Sequence, residues 1–111
     1  MINFTLRIKV QAHRRMEFLD AARMIIEPML VLPGCKSCRI SQDLNDIDIA
    51  ILVEEWQSKE DFERHIRSDE FRIILSMMEL SSEKPEVEIA TIANIEGFEA
   101  IERIRNQRKE N

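Results

Sequence analysis

At 111 residues, 44% of them hydrophobic and 33% charged, the chain has the size and make-up of one globular domain, and no Pro-, Gly- or Ser-rich stretch divides it. A net charge of −5 with dispersed acidic groups excludes the clustered Lys and Arg that a phosphate backbone demands, so no nucleic-acid partner is expected. No run reaches the roughly 20 apolar residues that span a bilayer, and the first residues lack the charged-then-apolar order of a signal peptide, so a cytoplasmic protein without a membrane partner is expected.

Phe4, Leu6, Ile8 and Val10 alternate with Asn3, Thr5, Arg7 and Lys9, which predicts a strand with one buried face. From about Arg14 to Leu30 the apolar residues Met16, Leu19, Ala22, Ile26 and Met29 fall three and four apart, as on one side of a helix, and Pro33-Gly34 then turns the chain. The stretch "CRISQDLNDIDIAILVEEW" predicts two strands, about 36–43 and 47–56, joined by a turn at Leu44-Asn45-Asp46. Ser58 followed three residues later by Asp61 resembles a capping box that opens a second helix carrying Phe62, His65 and Ile66. A further cap signal, "SDEF" from Ser68, predicts a break before Phe71, Ile74, Leu75 and Met78 resume the stripe. Pro85 precedes a fourth strand in "EVEIATI", and Phe98, Ile101 and Ile104 predict a short terminal helix, whose Arg103, Arg105, Arg108 and Lys109 suit a helix C-terminus.

The order β-α-β-β-α-β is that of an α+β, ferredoxin-like fold, one antiparallel sheet with two helices on one face, over residues 1–95, with 96–111 as a C-terminal helix or tail. In the third strand Ile47, Ile49, Ile51 and Val53 point one way and Ala50, Leu52 and Trp56 the other, so both faces carry apolar side chains. The helices cover one face. A second copy of the chain is the expected cover for the other, giving a homodimer packed sheet to sheet.

The stretches "LPGCKSCRISQD" and "EEWQSKEDFERHIRSDEF" resemble the antibiotic biosynthesis monooxygenase family of dimeric α+β barrels, through Pro33, Gly34, Cys35, Trp56, His65, Ser68 and Phe71, over residues about 2–95. The resemblance implies a cofactor-independent monooxygenase of an aromatic or quinol-like molecule. The competing implication is a non-catalytic barrel that binds a small apolar ligand or haem, as in stress response. Glu70 stands where many members carry a His. His65 and Leu75 stand where the haem-degrading branch carries a Trp and its iron-ligating His, so that branch's triad is not expected.

His65 shares a helical stripe with Phe62 and Ile66 and should face the space between helix and sheet, where an imidazole can take a proton from a phenol or quinol. The alternative is a buried, hydrogen-bonded core histidine. Trp56, at the end of its strand, could wall an aromatic cavity or simply join the core. These two are the catalytic candidates; Asn3, Phe62, Phe71 and Arg72 are the substrate-binding candidates. No glycine-rich phosphate loop or dinucleotide fingerprint is present, so no cofactor is expected. Cys35 and Cys38 lie where a helix ends and a strand begins, without the helix N-terminus that a redox dithiol uses, and three residues apart on a strand they should face opposite ways. With so few other ligands, no metal is expected there.

Overall fold

The computed structural model describes residues 1–109, and the side chains of Arg108 and Lys109 fall outside the described set. The chain runs β1 (Ile2–Lys9), a 3-10 turn at Ala12–Arg14, α1 (Arg15–Leu30), β2 (Cys35–Gln42), β3 (Ile49–Trp56), α2 (Lys59–Arg67), α3 (Phe71–Glu79), β4 (Glu86–Thr91) and α4 (Phe98–Lys109). The sheet order is β2-β3-β1-β4, antiparallel at every pairing. This is the α+β, ferredoxin-like architecture expected from the order of elements. Among the described residues no helix is long and apolar enough to cross a membrane.

Alternation along β1 and β3 decides the core. Phe4, Leu6 and Ile8 of β1 and Leu52 and Trp56 of β3 turn inward and are nearly sealed from solvent. Phe18, Ile25 and Met29 of α1 meet them, with Phe62 of α2 and Phe71, Ile74 and Met77 of α3. Each such large side chain contributes about 1.5–3 kcal/mol by its burial.

Three features differ from the sequence reading. The break expected before Phe71 is present, but Ser68 adopts extended backbone and its hydroxyl donates to the His65 carbonyl at 2.6 Å, so it closes α2 rather than capping α3. The β2–β3 turn is longer than three residues and β3 starts at Ile49, not Ile47. Asp43 and Asp46 each accept a backbone N–H two residues on, from Asn45 at 2.7 Å and Asp48 at 3.0 Å, which holds residues 43–48 out of the ladder.

The third concerns the open face of the sheet. Its apolar part is a row on β3, Ile49, Ile51 and Val53, flanked by Lys9, Arg7 and Thr5 on β1 and, beside Ile51 and Val53, by Ser41 and Arg39 on β2. Val87 and Ile89 of β4 lie opposite Leu6 and Phe4, on the helix side, yet are 50% and 55% exposed, with little helix packing on that edge among the described residues. The molecule is 55 Å in its longest dimension, and Phe98, Ile101 and Ile104 of α4 are exposed.

Candidate functional site

The site begins at the end of β3. Alternation carries Ala50, Leu52, Glu54 and Trp56 to the helix side, so a carboxylate enters the core between a leucine and the chain's one tryptophan. Glu54 is 0% exposed and Trp56 1%. The Trp56 indole N–H donates to Glu54 Oε1 at 3.0 Å. From α2, one turn beyond Phe62, His65 comes down onto the same group: its ring stacks on Trp56 with centroids 4.6 Å apart and meets the edge of Phe71 at 5.3 Å.

His65 Nε2 lies 3.3 Å from Glu54 Oε1, within ion-pair distance but angled away from a hydrogen bond. Glu54 Oε2 and both imidazole nitrogens find no hydrogen-bond partner among the described residues. A buried carboxylate beside a buried imidazole, neither fully satisfied, is an arrangement that can hold and pass a proton.

The position of α2 over this group is fixed locally. Ser58 Oγ accepts from the Asp61 N–H at 3.2 Å and donates to Asp61 Oδ2 at 2.8 Å, starting the helix immediately after β3. The Pro33-Gly34 turn is clamped to the same junction, since the Gln57 N–H donates to the Gly34 carbonyl at 2.7 Å. Gly34 has a φ of 81°, and a Cβ there would overlap Asp61.

Between turn and helix lies a cleft of about 160 Å³. Leu32 and Pro33 form one wall and Arg64, Ser68 and Glu70 the other, with Trp56 and His65 at the floor. A larger cleft, about 220 Å³, opens at the far end of the sheet between α1 and the β2–β3 hairpin. Its only charged side chains, Arg15 and Asp48, pair with each other at 3.0 Å, and no His, Cys or buried carboxylate lines it, so the smaller cleft is the one with chemistry.

Of the residues picked out from sequence, Trp56 and His65 meet at the cleft floor, and Phe71 supports His65 from behind. Phe62 packs into the core against Phe4 at 5.8 Å and does not line the cleft. Asn3 does not join them: it pairs with Glu55 and Ala90 between the buried Ile2 and Phe4, so it points to the open face. Arg72 is also apart, its side chain 81% exposed and 3.8 Å from Asp69, because one residue past the buried Phe71 a helix has turned about 100° toward solvent. Glu54 is not among the sequence candidates, although the same period of two that turns Leu52 and Trp56 inward also turns it inward.

The cysteines differ from expectation. A bulge at Lys36 sets Cys35 opposite Trp56 and Cys38 opposite Glu54, so both face the helices instead of opposite ways. Both are free thiols. Burial, and then the Glu54 carboxylate, push Cys38 up to about 12 and raise Cys35 as well, so neither is a reactive thiolate near neutral pH. Among the described residues no three His, Cys, Asp or Glu side chains converge as metal ligands.

Solved structures share this architecture. A conserved protein from Methanosarcina mazei Go1 is 28% identical with a TM-score of 0.75, covering 80% of this chain and 89% of that one. Rv0793 from Mycobacterium tuberculosis is 15% identical with a TM-score of 0.76, covering 86% and 98%. A structure named antibiotic biosynthesis monooxygenase is 16% identical with a TM-score of 0.74, covering 85% and 100%. No curated protein matches. The family model described as antibiotic biosynthesis monooxygenase matches residues 1–74, which take in the Pro33-Gly34 turn, the Glu54–Trp56–His65 group and the whole cleft, and the chain belongs to that family.

Proposed function

We propose that the protein is a cytoplasmic, cofactor-independent monooxygenase of a small aromatic, quinol-like molecule bound beneath α2. The observation that carries this reading is the buried Glu54–His65 contact, 3.3 Å, beneath a cleft floor formed by His65 and Trp56. His65 takes the proton of the substrate hydroxyl, and the Glu54 carboxylate stabilises the imidazolium that forms. The electron-rich anion then reacts with oxygen directly. For a hydroquinone the balance closes without a cofactor: one oxygen atom enters the ring, the other leaves as water, and the quinol supplies all four electrons as it becomes a hydroxyquinone.

Residues 1–95 carry this activity, and two copies pair through the Ile49–Ile51–Val53 row on the open face, a row too apolar to leave in water beside charged neighbours. His65→Ala should slow oxygen uptake with hydroquinones or anthrones, no cofactor added, by about 10²-fold or more while the folded protein is retained. An unchanged rate overturns the proposal.

One observation favours a second reading, a barrel that binds a small apolar ligand without turnover: His65 is only 3% exposed, so little of the ring meets a ligand in the cleft. Spectral shifts on ligand addition without oxygen uptake would select it. Haem, a far larger ligand, is poorly matched to about 160 Å³.

A further inference from the structure

We infer that the cleft takes a single, uncharged, hydroxylated aromatic ring, and that Glu70 is the residue that turns anionic analogues away; the inference rests on reading this cleft as the substrate site. Size comes first. The cleft holds about 160 Å³. An apolar cavity of about 150 Å³ binds benzene, whereas sites for larger organic ligands run to about 300–1,000 Å³. One ring with its hydroxyls fills the space, and most of a fused tricycle would stay outside.

Charge comes second. Both Asp61 oxygens are engaged, Oδ2 by Ser58 at 2.8 Å and Oδ1 by Arg64 at 3.0 Å, so the Arg64 cation is already answered. The neighbouring cations Arg67 and Arg72 pair with Glu63 and Asp69. Glu70 lines the cleft, is exposed, and has no ion pair or side-chain hydrogen bond among the described residues; it sits at the N-cap position of α3 without capping it. The cleft wall therefore carries one carboxylate with no side-chain partner, beside the N-terminus of α3. That carboxylate can accept a hydrogen bond from a phenolic O–H, and it repels a carboxylate placed on the same ring.

Trp56 is the chain's only tryptophan and forms part of the cleft floor, so its fluorescence reports binding whether or not turnover occurs. The probes are hydroquinone, 4-hydroxybenzoate and 1,8-dihydroxyanthrone, titrated without oxygen. Hydroquinone should bind more tightly than either of the others. Glu70→Gln should shift the hydroquinone-to-hydroxybenzoate affinity ratio toward the anion by about fivefold, the effect of one partly screened charge several ångströms away. Glu79→Gln, the same charge change at the far end of α3, should leave the ratio where it was.

A tricycle that binds more tightly than hydroquinone, or a ratio indifferent to Glu70→Gln, overturns the inference even if oxygen uptake proves the enzyme active. Glu70-dependent selection without oxygen uptake upholds it and removes the catalytic reading instead. Failure of every probe to bind removes both.

Discussion

Gly34→Ala isolates what holds the cleft in shape. Two costs are expected. Alanine at a φ of 81° costs about 1 kcal/mol. The new Cβ also overlaps Oδ2, Cγ and Cβ of Asp61, so Asp61 must leave its place. Its carboxylate then loses the bond that the Ser58 hydroxyl donates to Oδ2, about 1 kcal/mol, and the exposed Arg64 pair, less than about 0.5 kcal/mol. The sum, about 2–3 kcal/mol, corresponds to a fall in Tm of about 10 °C for a domain of this size. The assay is chemical denaturation in a double-mutant cycle with Asp61→Gly; Asp61→Ala would be a poor partner because it keeps one of the clashing atoms. In the Asp61→Gly background Gly34→Ala should cost only the backbone part, about 1 kcal/mol, leaving a coupling of about 1–2 kcal/mol. An equal cost in both backgrounds would refute the claim that the turn and α2 are locked through Asp61.

Cys38 sets an alkaline limit on stability. It holds its proton in the fold up to about 12, whereas the unfolded thiol ionises from 9.0, so the unfolded state binds fewer protons between those values and stability falls as pH rises through that window. The loss attributable to Cys38 is on the order of 4 kcal/mol, absent below pH 9, and Cys38→Ala should flatten that limb in denaturation curves taken across it. Ile51→Lys, in the middle of the β3 row between Arg7 and Ser41, should convert a dimer to monomers in sedimentation while Tm moves little; a dimer that survives it places the interface elsewhere. A chain ending at Gly97, without α4, should keep its Tm within a few degrees, since α4 makes few contacts with the body of the domain; a large loss would mean that residues 1–95 are not the folding unit.

The elements were legible because β1, α1, β3 and the α2–α3 pair write their burial into simple periods, and the caps at Ser58 and the turn at Pro33-Gly34 are local chemistry. What escaped was set by pairings between distant segments. The bulge at Lys36 depends on how β2 meets β3, and one extra residue there reverses the side to which Cys38 points. Glu54 was hidden differently. Period two turns it inward, but a charge in a strand reads as solvent-facing unless its partner is known, and His65 lies eleven positions on, across a cap and a turn of helix. Asn3 and Arg72 are polar residues whose side chains a substrate could use, but their positions oppose it. The alternation of Ile2, Asn3 and Phe4, and the step from Phe71 to Arg72, already sent both away from the cleft.

Packing alone gives Glu54 no reason to be there. A fully buried carboxylate with one oxygen unpartnered is costly, and a leucine of similar volume would suit the apolar neighbours Leu52 on its own strand and Cys38 across the ladder better. The cost is only partly offset by the Trp56 N–H, and the one ion-pair partner within reach among the described residues is the imidazole at the cleft floor. Trp56 holds one carboxylate oxygen, and that same oxygen faces His65, so the indole fixes the charge at a set distance from the imidazole rather than quenching it. The proposed acid–base role accounts for this geometry: a proton taken up by His65 from the cleft would be met by a negative charge already in place, at a point where water could not supply one.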